Sequence, residues 1–169
     1  IDSSWNGEMS PLERSIAMDD NTYYLPEGIP EFLVKHHYNP NMRLFGGSFS
    51  LFEMFGYSEQ AGLLIENGLD VNQRCSVCSN ETLLHRMAKT GNIDLADLLI
   101  RSGADINATD KDGRTPLMWS VRDEQIEFTY FLVERGADKS IRDNNLKAAS
   151  DYGKKLIKKD ADLAELLSY

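Results

Sequence analysis

Few side chains in this sequence could do bond-making chemistry, and their spacing argues against it. The histidines are His36, His37 and His85, and none stands in a nucleophile, metal-ligand or phosphate-cradle motif. His85 follows Leu84, where a local hydrogen bond is the expected role, and His36-His37 follows the apolar run Phe32-Leu33-Val34, where a helix should end. The most unusual local feature is Cys75-Ser76-Val77-Cys78. A zinc site would need two further ligands, and no second C-x-x-C or H-x-x-x-H supplies them. A thioredoxin-like role would need a strand-to-helix context. The pair is left as a short disulfide if the compartment is oxidising or as free thiols if it is not, with metal or redox chemistry as the remaining alternative. Asn80-Glu81-Thr82 and Asn107-Ala108-Thr109 match the glycosylation sequon, a pattern short enough to arise by chance. We expect no catalytic residue, no cofactor and no metal.

The elements that must position these residues come in copies. The segment Thr82-Leu83-Leu84-His85, then Ala88, Gly91, Leu98-Leu99 and Gly103-Ala104-Asp105-Ile106-Asn107-Ala108, returns one period later. There it reads Asp112-Gly113-Arg114-Thr115-Pro116-Leu117, then Phe131-Leu132 and Gly136-Ala137-Asp138; Thr82 to Thr115 and Gly103 to Gly136 are both 33 residues. Thr115 can cap a helix whose first turn accepts Pro116, because the missing N–H has no partner there in any case. A second helix is predicted over Ile93 to Arg101 in one copy and Glu127 to Arg135 in the next, with Gly103 and Gly136 supplying the left-handed residue at its end. The stretch from Asp105 to Gly113 then forms a turn that juts sideways as a finger. This pattern resembles the ankyrin repeat, with its T-P-L-H helix start, paired leucines and G-A-D-V-N close.

Weaker copies extend the array. Gly56, Leu63-Leu64-Ile65 and Gly68-Leu69-Asp70-Val71-Asn72 align with the third copy at an offset of 35, so two residues are inserted between Gln73 and Glu81. Further upstream, Ser10-Pro11-Leu12 with Ser15-Ile16 reads as a first helix, and Phe32 to Asn41 as the close of a second, with about six extra residues around Tyr23 to Pro30. At the far end Ala148 to Tyr152 and Asp162 to Leu167 read as a degenerate last copy, with Lys154, Lys155, Lys158 and Lys159 on a solvated capping face. The resemblance implies an all-α solenoid of five stacked helix-turn-helix repeats, roughly 6–41, 42–75, 76–108, 109–141 and 142–169, in a single domain over 1–169.

Charge narrows the partner. The chain has 169 residues with 27 acidic and 18 basic side chains, net −9; residues 1–73 hold 11 acids and 3 bases, net −8, and the rest is nearly neutral. Nucleic-acid binding is excluded, because it needs clustered Lys and Arg to displace counterions. No run of about 18 apolar residues exists to span a membrane. The acidic first part, with Asp19, Asp20, Glu27 and Glu31 clustered in it, suits a basic protein partner. The first residue is Ile1, so the chain reads as a processed or a trimmed product, with an exported, periplasmic location favoured over the cytoplasm.

The resemblance further implies that partners are gripped by the fingers and by the first helices, which line a concave face. The positions left free by the consensus are then the candidate partner-binding residues: Met18 in repeat one; Leu51, Met54 and Phe55 in repeat two; Glu81, Arg86 and Lys89 in repeat three; Lys111, Asp112, Arg114, Trp119, Arg122 and Asp123 in repeat four. Leu51, Met54, Phe55 and Trp119 are large apolar residues at places expected to face solvent, and Trp is enriched in binding hot spots. The expected function is a non-enzymatic protein-binding module, a monomer on its own and of bacterial origin. An inhibitor or immunity protein that neutralises a toxin is preferred, with a secreted effector that binds a host protein as the alternative. A Cys/His-dependent enzyme and a self-assembling scaffold are the competing classes.

Overall fold

The helix starts follow from backbone donors that need acceptors. In the computed structural model, which describes residues 18–19, 22–23, 33–35, 37–41, 43–44, 49–50, 61–75, 78–153 and 161–167, Thr115 Oγ1 accepts the Met118 N–H at 3.4 Å with Pro116 beside it. Asn92 Oδ1 accepts the Leu95 N–H at 3.0 Å. At Thr82 the cap is reversed: its own N–H donates to His85 Nδ1 at 3.2 Å.

The chain divides into two units, Ile1–Asp70 and Val71–Tyr169. In the second, the order is α2 (Leu83–Thr90), α3 (Ile93–Arg101), α4 (Pro116–Arg122), α5 (Ile126–Glu134), α6 (Ala149–Tyr152) and α7 (Ala161–Leu167). Within a repeat the first helix packs on the second, α2 on α3 and α4 on α5; between repeats the first helices α2, α4 and α6 lie side by side, and α5 meets α7. Leu83, Leu84, Met87, Leu99, Leu117, Met118, Phe128, Leu132 and Leu163 fill the space between them and are buried to 2% exposure or less. Each such side chain contributes about 1.5–3 kcal/mol, available only when a neighbouring repeat closes over it. The helical ankyrin architecture expected from the sequence is the one found, and α5 begins one residue ahead of its predicted start.

Glycine closes the second helices. The Gly103 N–H reaches Ile100 O at 3.0 Å and the Ala104 N–H reaches Leu99 O at 2.9 Å; Gly136 and Ala137 repeat both bonds to Val133 and Leu132. Both glycines are left-handed, at φ 91° and 88°. Beyond each closure an asparagine ties one repeat to the next: Asn72 Nδ2 donates to Gly103 O at 2.9 Å and its Oδ1 accepts the Asp105 N–H at 2.8 Å. Asn107 Oδ1 accepts the Asp138 N–H at 2.9 Å. The fingers are joined as well, by Lys111 N–H to Ser79 O at 3.0 Å and Asn144 N–H to Asp112 O at 3.0 Å.

In the first unit, α1 (Ala61–Glu66) ends in the same closure, from the Gly68 N–H to Ile65 O at 3.1 Å and the Leu69 N–H to Leu64 O at 2.9 Å. Asn41 makes the asparagine tie there, to Gly68 O at 2.9 Å and from the Asp70 N–H at 2.6 Å. The unit also holds two short antiparallel pairs that the sequence did not suggest: β1 (Met18–Asp19) with β2 (Thr22–Tyr23), and β3 (Arg43–Leu44) with β4 (Phe49–Ser50). Met18, expected on the binding face of a first helix, lies instead in β1 opposite Tyr23. Repeat signals are weakest here, so the helical period could not fix local conformation. Leu51, Met54, Phe55, the first helix at Ser10 to Ile16, the insertion at 24–30 and the lysine run at 154–159 lie outside the described residues.

Gly113 tests the finger contact. It is left-handed at φ 78°, and a Cβ there would come within 2.6 Å of Asn144 Oδ1 and 3.0 Å of Asn144 N on the next finger. Gly136 is equally left-handed but has open space around it. Gly136→Ala should therefore cost about 1 kcal/mol from backbone strain alone, and Gly113→Ala about 2–3 kcal/mol in urea melts. Equal losses would show that the fingers do not press on each other.

Candidate functional site

Repeat four builds its finger around one carboxylate. Asp110 Oδ1 accepts the N–H groups of Asp112 at 2.8 Å and Arg114 at 2.9 Å, which close the turn. Oδ2 takes the Arg114 Nε–H at 2.9 Å and the Trp119 indole N–H at 3.0 Å. Burial works against ionisation of Asp110, but the Arg114 backbone, the indole and the guanidinium together outweigh it and hold the carboxyl below its ordinary range. The same carboxylate thus fixes a loop, a cation and an aromatic ring from α4.

Around that ring three groups assemble. The Arg122 guanidinium lies 4.0 Å from the Trp119 centroid and that of Arg114 5.5 Å, both in cation–π range. The His85 ring meets Trp119 edge-on at 6.0 Å. His85 Nε2–H donates to Arg114 O at 2.9 Å while Nδ1 accepts from Thr82, a neutral tautomer assigned from its partners. Burial drives its pKa down to about 4, against the pull of the Arg114 carbonyl. His85 is therefore a structural tie between repeats three and four.

The residues expected to form the binding face divide accordingly. Lys89 and Lys111 are exposed; Arg86, Asp112, Arg114, Arg122 and Asp123 are half-buried. Trp119 is corrected: it is 6% exposed, because the indole N–H is drawn to Asp110 and the ring is covered by arginines. Glu81 is corrected too, at 6% exposure, with Oε2 2.5 Å from Arg86 Nε. Burial pushes its carboxyl up, with Arg86 opposing. Arg114 also pairs with Asp112, and Arg122 with Asp123 at 3.0 Å. Arg114 and Arg122 are therefore the two cations seated on Trp119. Asp110, which organises it, was missed; the 33-residue spacing from Asp110 to Asp143 was the available signal.

Repeat five copies the device with different partners. Asp143 Oδ1 accepts the Asn145 and Lys147 N–H groups at 2.9 and 2.8 Å, and Oδ2 accepts the Tyr152 hydroxyl at 2.6 Å. Burial and that carboxylate push Tyr152 up to about 12. Repeat three replaces the carboxylate. There the Cys75 N–H bonds Glu81 O at 2.8 Å, as Asp110 bonds Arg114 O at 2.9 Å, but two more residues intervene. A disulfide from Cys75 to Cys78 spans the longer turn, and Cys75 O accepts the Asn80 N–H at 3.0 Å. Among the described residues no cluster of three or more His, Cys, Asp or Glu could hold a metal ion, and no helix is long and apolar enough to cross a membrane. The sequon residue Asn107 uses its side chain in the tie to Asp138.

Stacked helix pairs with 33-residue spacing, glycine closures and joined fingers define a helical-repeat interaction protein. Residues 52–143, more than half of the chain, match the family model for ankyrin repeats in three copies, and the chain belongs to the ankyrin-repeat family. It is 38% identical over 91 residues to an ankyrin repeat protein of Fowlpox virus, covering 53% of this chain and 26% of that one. It is 40% identical over 65 residues to human transient receptor potential cation channel subfamily A member 1, covering 38% of this chain and 6% of the channel. An ankyrin repeat protein of Rickettsia bellii is 36% identical over 90 residues, 52% of this chain and 15% of that protein. The matches span at most about a quarter of these relatives' own length. Ankyrin repeats bind other proteins, and the likeness follows the repeat rather than the organism.

Two measurements probe the site. His85 has a folded pKa near 4 against 6.5 for the ordinary residue, so the unfolded chain takes up a proton first as pH falls. Its stabilisation is complete above pH 6.5 and is lost as pH falls through 4, whereas the depressed Asp110 acts only below its ordinary 3.8. Unfolding free energy should drop by about 2–3 kcal/mol between pH 7 and 4.5, and His85→Gln should flatten that limb; an unchanged slope in the variant would remove the assignment. Reduction of Cys75–Cys78 should cost about 2 kcal/mol and speed amide exchange at Asn80 and Lys111 while leaving Leu99 protected. Uniform exchange before and after reduction would mean that the bridge does not hold the finger.

Proposed function

We propose that this chain is a non-enzymatic module, monomeric on its own and of bacterial origin, that grips a partner protein between its fingers and its first helices and neutralises it by occupying it. The observation that carries the binding reading is the seating of Arg122 on Trp119, with Arg114 held by Asp110 and Arg86 by Glu81. Cations fixed in place by buried partners lose little conformational entropy on binding, which is what an interaction face requires. The neutralising role is supported by the net −8 of residues 1–73, which suits a basic partner whose own surface would be covered. Met18, Leu51, Met54 and Phe55 belong to this proposal as contacts from that acidic part.

Trp119 is unsuited to a binding test, since its loss would disturb Asp110 and the finger. The test uses Lys89→Glu with Arg122→Glu. After affinity capture with the native chain, the captured protein should bind this variant about tenfold more weakly or worse, with a melting temperature within about 2 °C of the native chain. Association with the native chain should slow as salt is added, and the partner's activity should be lost in the complex. Undiminished affinity in the variant overturns the face; an active complex overturns the neutralising role.

A further inference from the structure

Three fingers of the second unit place a residue in left-handed backbone just before the end of the turn: Asn80 at φ 62°, preceded by Ser79 at φ 61°, Gly113 at φ 78° and Leu146 at φ 62°. Glycine and asparagine tolerate that region, whereas a bulky side chain is strained there. Leu146 does not offset the strain by burying itself, for it is 76% exposed, against 40% for Tyr38, the other exposed large apolar residue among those described. Its backbone is held from both sides. The Leu146 N–H bonds Asp143 O at 2.9 Å, and its carbonyl accepts from Arg142 Nη1 at 2.9 Å. A leucine is thus displayed in a fixed pose at a finger tip.

The charge around it is sorted. The carboxylates at the turns are engaged with the protein, Glu81 with Arg86, Asp110 with Trp119 and Arg114, Asp112 with Arg114, and Asp143 with Tyr152, while exposed Asp105 and Asp138 accept the Asn107 and Ser140 N–H groups. Lys147 follows Leu146 and is exposed, and exposed Lys111 sits one finger away, its carbonyl accepting from Asn144 Nδ2 at 3.1 Å. Resting on the protein-binding reading above, we infer that this finger tip docks an acidic protein segment that carries a large apolar side chain. The apolar group packs on Leu146 and the carboxylates face Lys111 and Lys147. A leucine at the centre favours such a segment over a phosphate backbone, which offers nothing apolar at its charged edge.

The probe is a phage-displayed library of random peptides selected on the full chain. Enriched peptides are titrated by fluorescence anisotropy against the native chain, Leu146→Gly, the double variant Lys111→Glu with Lys147→Glu, and Arg122→Glu. Enriched peptides should combine Asp or Glu with Leu, Ile, Phe or Trp, and should lose about tenfold in affinity with Leu146→Gly and with the double variant. Leu146→Gly should melt at the same or a higher temperature, so a loss of binding is not a loss of fold. No enrichment, enrichment of peptides lacking acidic or apolar residues, or displacement by an oligonucleotide at equal concentration overturns the proposal. Affinity that falls with Arg122→Glu and not with Leu146→Gly overturns the finger tip while keeping the face around Arg122; affinity that falls with neither removes both.

Discussion

A carboxylate taken out of water costs several kcal/mol unless its lone pairs are all used, and Asp110 uses them on two backbone N–H groups, a guanidinium and an indole within 2.8 to 3.0 Å. That requirement organises repeat four. The turn must be tight enough to bring the Asp112 and Arg114 N–H groups to one oxygen, and α4 must be placed so that Trp119 reaches the other. Once both hold, Arg122 on the next turn of α4 lies over the ring. His85 of the preceding repeat can then reach the Arg114 carbonyl. The stacking of Arg114 and Arg122 on Trp119 is a by-product of satisfying a buried charge.

The other two fingers solve the same problem with different chemistry. Asp143 keeps the backbone half of the device and replaces indole and guanidinium with the Tyr152 hydroxyl, a donor that needs no second cation. Cys75 abandons the carboxylate. With two more residues in the turn, one acceptor oxygen would have to gather donors from a longer loop, and a covalent link to Cys78 does so at a Cα separation of 5.1 Å. The finger that lost its charge gained a bond whose existence depends on the redox state of its surroundings.

Periodicity made much of this legible. Thr115, Pro116, Gly103 and Gly136 act as their types and positions implied, since caps and left-handed closures are local and need no tertiary knowledge. The two-residue insertion between Gln73 and Glu81 was also readable and is where the disulfide stands. Trp119 was misjudged because its partner, Asp110, lies nine residues earlier on a different element, and no helical period links a loop carboxylate to a helix face. Glu81 failed for the same reason, being buried by a partner on the following helix. The paired strands at 18–23 and 43–50 escaped because two-residue ladders leave no alternation to read.

Net charge proves a poor guide to what a partner meets. Residues 74–169 sum to −1, which suggests a bland surface. On the fingers, however, Asp110 and Asp143 face inward at 5% and 3% exposure, leaving Lys111 and Lys147 outside. On the second helices acids and bases are exposed together, Asp94 with Arg101 on α3, and Glu127 and Glu134 on α5 with Arg135 at its end. A nearly neutral sum therefore hides fingers on which Asp110 and Asp143 are buried while Lys111 and Lys147 are exposed. Beyond about 8 Å at physiological salt such opposed charges largely cancel and are screened. The second unit should then contribute little to long-range steering and act at contact range, where exposed Lys111 follows buried Asp110 and the N–H of exposed Lys147 is held by buried Asp143.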